Sequence, residues 1–348
     1  MTQRVLIVGF GSIGQRHLRI VRESFLLSDV RVLRREPGAT AEGADGCFCS
    51  LDEALAFEPQ VAIIANPAPF HVRIALALAR QGCHLLVEKP LSDTPEGVSE
   101  LLVAANAGGI VLQVAYNLRF SPSLRDFRRW VQSGRIGRIL SIRCETGQHL
   151  ETWRPGTDYR QGVSACRELG GGALLELSHE LDYLRWIFGD VDWVGAWVGR
   201  QSALEINVED TAHLILGMRN SPVVVGACAP VAALSLDFLR RDTTRRCVAI
   251  GEAGSLAWDG IAGSVKLCGG GSGMESAVLS EHPPVRDETY REQWRHFLSS
   301  IENKTSPLVG GRDGLAVLEL VNAAWRSVAL EGARVCLNQN AGMVANRG

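Results

Sequence analysis

The feature that most constrains this chain is Gly9-Phe10-Gly11-Ser12-Ile13-Gly14, set between an apolar run and a helical pattern. Residues 4–8 (RVLIV) suit a short strand buried on both faces. Residues 15–21 carry helical spacing. A G-x-G-x-x-G string alone says little, but between a strand and a helix each glycine has a task. Gly9 permits the tight turn, Gly11 lets a pyrophosphate approach the backbone, and Gly14 lets the helix pack close to the sheet. Ser12 and Ile13 open the helix, whose free N–H groups and positive dipole end favour phosphate. The expected ligand is a nicotinamide dinucleotide.

The next strand selects between the two dinucleotides. In an NAD-binding unit an acidic residue about 20 positions past the glycines accepts from the ribose hydroxyls. Here Arg34 and Arg35 occupy that place, with Asp29 before the strand and Glu36 after the pair. Two guanidinium groups suit a 2′-phosphate. NADP(H) is therefore expected over NAD(H). In the alternative, both arginines are solvated and Glu36 reaches the ribose.

Strands and helices then alternate. Apolar runs at 61–65, 84–87 and 110–115 are separated by helical patterns at 72–81 and 94–107. Strands alternating with helices predict a doubly wound parallel sheet, whose ligands sit at the C-terminal strand ends. The glycine loop, Asn66-Pro67 with His71 beyond it, Glu88-Lys89 and Asn117 all follow such ends.

After Pro122 the pattern changes. A helix at 123–132 is followed by strand patterns at 139–145, 191–198, 211–216, 223–227, 235–239, 247–250, 255–258 and 264–267. One helix is expected over 173–188, and others over 290–302 and 314–330. Gly269 to Gly273 reads as a turn, since no strand–helix pair frames it. This is the signature of an α+β domain. The chain has 348 residues, enough for two domains, predicted as 1–120 and 121–348. The join is short, so an active site is expected between them.

Other classes are disfavoured. Net charge is −2 without a basic run, which argues against nucleic acid. No apolar stretch reaches a membrane span, and the N-terminus enters its strand without a cleavage site. Nine cysteines without a CxxC pair predict reduced, mostly buried thiols and a cytoplasmic location. Cys47-x-Cys49 has no partner pair that completes a metal site.

GFGSIGQRH, NPAPFH, EKPLS and YNLRFSP, in that order, resemble the glucose–fructose oxidoreductase/inositol dehydrogenase/MocA family. ELGGGALLELSHELDYLRWIFG and the closing PLVGGRDGLAVLELVNAAWRSVALEGARV extend the likeness to nearly the whole chain. The resemblance implies a Rossmann domain followed by an α+β domain with a large, mostly antiparallel sheet. That sheet often makes oligomer contacts, so a homodimer or homotetramer is expected. It implies hydride transfer between a nicotinamide cofactor and a sugar, cyclitol or related alcohol or ketone. By resemblance Lys89 lies near the reacting carbon, and His179 and Asp182 form the catalytic or substrate-binding pair. The chemistry agrees. Imidazole titrates near neutrality and suits a base for a hydroxyl proton. A lysine can stabilise the developing alkoxide. His179 and Asp182 are i and i+3, so they share a helix face.

One departure stands out. Where the family often carries Asp four residues before the histidine, this chain has Leu175, with Glu176 next to it. Asn117 is read as a partner for the cofactor amide or a substrate hydroxyl, and Arg119 for an anionic substrate group. In the long polar segment 147–168, Trp153, Arg154, Tyr159 and Arg160 are expected to reach over the substrate or to pack among themselves. A non-catalytic dinucleotide sensor and a reductase of a non-sugar small molecule are the competing readings.

Overall fold

The computed structural model describes residues 3–24, 28–36, 40–154, 156–219, 229–269 and 276–337. The chain forms two units, Met1–Phe120 with Asp287–Leu318, and Ser121–Arg286 with Glu319–Gly348. This differs from the expected boundary, which gives everything after residue 120 to the second domain.

The first unit holds β1 (Arg4–Val8), β2 (Asp29–Leu33), β3 (Gly46–Phe48), β4 (Val61–Ile64), β5 (His84–Val87) and β6 (Leu112–Val114). They form one parallel sheet in the order β3-β2-β1-β4-β5-β6. β3 is the strand no apolar run announced. It is an edge strand, half-buried throughout, so its sequence GCF carries little hydrophobic signal. The crossover helices are α1 (Ser12–Ser24), α2 (Leu51–Ala56), α3 (His71–Arg80) and α4 (Val98–Ala107). α4 starts later than its sequence pattern because Gly97, at φ +71°, precedes it in the left-handed region. α1 buries Gly14, His17, Leu18 and Val21, a stripe at i, i+3, i+4 and i+7.

Past Asp287 the chain adds a further helix to this core. Trp294 and Phe297 on it are almost fully buried and pack in one cluster with Val5, Ile7, Leu18 and Val32. Truncating either aromatic would cost about 3–5 kcal/mol. That burial explains why Asp287–Leu318 folds with the first unit.

The second unit begins with α5 (Pro122–Gln132). Its sheet holds β7 (Ile139–Gly147), β8 (Val191–Gly199), β9 (Thr211–Met218), β10 (Val231–Asp237), β11 (Thr244–Gly251), β12 (Gly254–Asp259), β13 (Ser264–Gly269), β14 (Ala277–Glu281) and β15 (Val335–Cys336). The order is β14-β13-β12-β11-β7-β10-β9-β8-β15, and among the described residues only the β7–β10 pair is parallel. The expected strand at 223–227, the glycines at 270–273 and Cys228 lie outside the described residues.

Residues alternate across this sheet. Ile142, Cys144, Leu214, Leu234 and Trp258 are buried on one face, and α5 packs there through Trp258 Nε1–H to Ser123 Oγ at 3.0 Å. The other face leaves Trp197 and Ile215 exposed. Among the described cysteines Cys83, Cys144 and Cys247 are buried, while Cys49, Cys268 and Cys336 are exposed, so the thiols are less uniformly buried than expected.

The remaining helices are α6 (Ala173–Glu176) and α7 (His179–Phe188) in the second unit, α8 (Glu288–Asn303) in the first, and α9 (Gly311–Ala329), within which the unit boundary falls. Among the described residues no helix is long and apolar enough to cross a membrane.

Candidate active site

Register brings the first unit's candidate residues to one row. Leu33, Val8, Ile64, Val87 and Val114 are aligned across the five adjacent strands β2, β1, β4, β5 and β6. Arg34, Gly9, Asn66, Glu88-Lys89 and Asn117 therefore leave the sheet along the same C-terminal edge. β1 and β4 flank the point where strand order reverses, the usual crevice for a ligand.

The three glycines differ sharply. Gly9 has φ +89°, and a Cβ there would lie 2.8 Å from Asn66 N. A Cβ on Gly14 would lie 2.2 Å from Gly9 O, so α1 is seated directly on the end of β1. A Cβ on Gly11 would meet nothing within 4 Å. That open side suits a pyrophosphate, with the amides of Ser12 and Ile13 at the start of α1. Asn66 Oδ1 is buried and has no hydrogen-bond partner among the described residues. An open glycine and an orphaned acceptor on adjacent strand ends fit a dinucleotide.

Arg34 donates to Thr40 O at 2.6 Å, and its guanidinium lies 5.6 Å from the Phe10 ring centroid, which places it beside the glycine loop. Arg35 and Glu36 are exposed.

Lys89 is half-buried and joined to Pro90 by a cis peptide bond. Only three of the chain's 36 basic residues are lysines, so a lysine at this strand end is not part of a general basic surface. Glu88 is buried, takes the Lys89 N–H at 3.2 Å, and lies 2.7 Å from His17 Nε2. His71 is also buried, with Nδ1 3.0 Å from Pro90 O and Nε2 2.7 Å from Asn66 O. It ties the β4 and β5 loops together. Burial pushes its pKa below the ordinary histidine value despite the two carbonyls.

Two expected ligand contacts are otherwise employed. Asn117 is buried and donates through Nδ2 to Thr289 Oγ1 at 2.8 Å. Arg119 is 3% exposed, donating to Leu308 O and to Asp313 Oδ1, both at 3.0 Å. The anion it meets in this structure is the internal Asp313 carboxylate, where the sequence reading expects an anionic substrate group.

In the second unit the single helix expected over 173–188 is two helices, interrupted at Leu177-Ser178. The glycines before it are there for clearance. Gly172 has φ +109°, and a Cβ on it would lie 2.3 Å from Glu209 Oε1. The Glu209 carboxylate accepts from Leu174 N at 3.0 Å, serving the start of α6 in place of a serine or threonine cap. Burial raises the Glu209 pKa.

The interruption makes His179 the first residue of α7, with Asp182 buried one turn on. Glu180 between them is fully buried, accepting from Thr146 Oγ1 at 2.8 Å and Arg245 Nε at 2.9 Å. Leu175 lies on α6, and Glu176 beside it accepts from Ser164 Oγ at 2.7 Å. Sequence reasoning missed His17, Glu180, Glu209 and Arg245. His17 and Glu180 lay inside quoted motifs, while Glu209 and Arg245 did not.

The segment 147–168 is tied down by contacts within itself and to Glu205 and Phe238. Among the described residues, short 3₁₀ turns run through it and end at Leu169. Trp153 donates to Gln148 O and packs edge-on against Phe238 at 5.0 Å. Tyr159 OH accepts from Glu205 N, and Arg160 pairs with Asp158. Arg154 is exposed. Trp153 and Tyr159 are thus held by Phe238 and Glu205, outside the segment, rather than by packing among themselves.

Comparison with known proteins places this geometry. Residues 3–116 match the oxidoreductase family with the NAD-binding Rossmann fold, and residues 124–257 match the GFO/IDH/MocA C-terminal domain. The first match defines the class, an NAD-binding Rossmann oxidoreductase. The second completes it: the chain belongs to the GFO/IDH/MocA family.

It is 26% identical to inositol 2-dehydrogenase 2 of Saccharopolyspora erythraea over 344 residues, 94% of each protein. It is 25% identical to inositol 2-dehydrogenase of Rhizobium meliloti, over 94% of this chain and 98% of that one. The fold matches levoglucosan dehydrogenase in complex with NADH and levoglucosan, with TM-score 0.82, 20% identity, and coverage of 97% and 100%.

Proposed function

We propose that this oxidoreductase transfers hydride between a nicotinamide cofactor and a sugar, cyclitol or sugar-derived alcohol or ketone. The observation that carries the reading is Lys89 on the same row of strand ends as the open side of Gly11 and the orphaned Asn66 Oδ1. The bound nicotinamide ring supplies the hydride chemistry. In the oxidative direction His179 takes the hydroxyl proton as the C–H bond breaks. The Lys89 ammonium stabilises negative charge developing on a substrate oxygen. Asp182 orients the imidazole or holds a substrate hydroxyl. Relatives named inositol 2-dehydrogenase, and a structural neighbour bound to levoglucosan, support a polyhydroxylated substrate.

NADP(H) is the preferred cofactor in this reading. Arg34 sits beside the glycine loop and Arg35 next to it is exposed, so both suit a 2′-phosphate. Dissociation constants for NADPH and NADH test this directly, and tighter NADH binding overturns it. The protein assembles as a homodimer or homotetramer through the open sheet face that exposes Trp197 and Ile215. Light scattering of wild type and Trp197→Arg tests the assembly, which the charge is expected to weaken. Location in the reducing cytoplasm accords with Cys144 and Cys247, directly opposite on β7 and β11 yet both free thiols.

The deciding experiment is a screen of polyols and keto-sugars followed by nicotinamide absorbance, with Lys89→Ala as control. Turnover by the wild type and its loss in a variant that still binds dinucleotide is the expected result. A wild type that binds dinucleotide but turns over nothing points to a sensor.

A further inference from the structure

We propose that the buried Glu88–His17 pair is a positioning device that fixes Lys89 relative to the phosphate-binding helix. The carboxylate spans two structural elements. One oxygen lies 2.7 Å from His17 Nε2 on α1, and the other accepts the Lys89 N–H at 3.2 Å. His17 is 1% exposed and Glu88 8%. Burying a carboxylate beside an imidazole costs desolvation that an apolar pair of similar volume would not. After the half-buried His84, β5 continues Leu85, Leu86, Val87, each 0% exposed, and the buried carboxylate follows where the strand end meets Lys89.

The other end of the device is rigid. Gly14 seats α1 against Gly9, so His17, three residues on, has a fixed place over the sheet. Its ring is braced edge-on by Tyr290 at 6.0 Å. Arg16 lies over that tyrosine at 4.7 Å and pairs with Asp287, which also holds Arg19. Burial pushes the Tyr290 hydroxyl up to about 12. Glu88, read from sequence as a cofactor ligand, thus has both carboxylate oxygens committed within the protein. It acts through Lys89, while the glycine turn remains the part that meets phosphate. The consequence for turnover rests on the role proposed above for Lys89.

The chain itself makes the test clean. Lys266 and Lys304 are the other two lysines, and both are exposed. Acylation of the ligand-free protein by acetic anhydride, quantified by peptide mass spectrometry, reports Lys89 against these two references. In Glu88→Ala the Lys89 rate relative to the references is expected to change by about tenfold, equivalent to ~1.4 kcal/mol. Glu88→Gln is expected to restore it, because the carboxamide oxygen still accepts the Lys89 N–H while its NH₂ donates to the other imidazole tautomer.

Dinucleotide affinity should be unchanged in both variants, while kcat falls in Glu88→Ala with KM for the alcohol little altered. An unchanged Lys89 rate in Glu88→Ala overturns the proposal. So does dinucleotide affinity falling in step with kcat, which would make Glu88 a cofactor ligand. If Glu88→Ala does not fold, His17→Met removes the partner and carries the same comparison. Absence of turnover in the wild type would defeat the proposed function, yet the acylation rates would still decide this pair.

Discussion

Lys89 and His179 each stand next to a fully or nearly buried glutamate, and the two glutamates are held in different ways. Glu88 precedes Lys89 and meets an imidazole and a peptide N–H. Glu180 follows His179 and meets the permanent cation of Arg245 and the Thr146 hydroxyl. The difference follows from how each unit presents a side chain. In the parallel sheet, strand register already aligns the loops, and one local tie completes the job. In the second unit the residue rides on a helix laid against a sheet. Nothing in the backbone sets that helix's rotation, so side chains from β7 and β11 must reach up and fix it. Burial alone would disfavour the Arg245 cation, but the Glu180 carboxylate outweighs that and holds its pKa above the ordinary value.

The comparison breaks first at the chemistry. Lys89→Ala and His179→Ala are each expected to lower kcat by about 10²–10⁴ while dinucleotide binding, followed by fluorescence, is retained. If only one variant lost activity, the two positions would not be partners in one reaction.

Next is the Glu180 anchor. Arg245→Met leaves a buried carboxylate without its cation and is expected to cost about 3–5 kcal/mol in urea unfolding. The double variant Glu180→Met/Arg245→Met should recover most of that loss, because the uncompensated charge has gone. No recovery would mean that the pair matters for packing rather than charge.

The glycine loop sharpens the first unit's side. Gly14→Ala is expected to destabilise by about 1–3 kcal/mol, since its Cβ would meet Gly9 O. Gly11→Ala, whose Cβ meets nothing in the protein, should leave the melting temperature unchanged and weaken dinucleotide binding. Equal effects on stability would contradict the geometry.

The smallest effect is a pH dependence carried by His71. Its folded-state pKa is depressed by burial from the ordinary 6.5. Below 6.5 the unfolded chain therefore binds more protons than the folded one, and stability is lost as pH falls. Urea midpoints between pH 7.5 and 5.5 should decline less in His71→Asn than in the wild type.

Much of the first unit was legible because its signals are local. A buried parallel strand is a run of apolar residues, and a glycine turn is a spacing. Even there β3 escaped, since an edge strand need not be apolar on both faces. In the second unit, Gly170 to Gly172 were visible as an entry, but their reason was not. Gly172 is required by Glu209, 37 residues later in the chain. The partners of Arg119 are hidden for the same cause: Asp313 and Leu308 meet its guanidinium from about 190 positions further along the chain.

The sequence by itself determined the dinucleotide turn and the strand-end placing of Lys89, because both are properties of a few consecutive residues and the pleat that follows. It also determined that His179 and Asp182 share a helix face, which is a matter of period. Only the tertiary structure decided that His17 and Glu88 are a pair, that Glu180 is anchored from below, and that the segment after Asp287 completes the first core. Those contacts join residues tens to hundreds of positions apart. No local period encodes them, and they appear only when burial forces each polar group to find its partner.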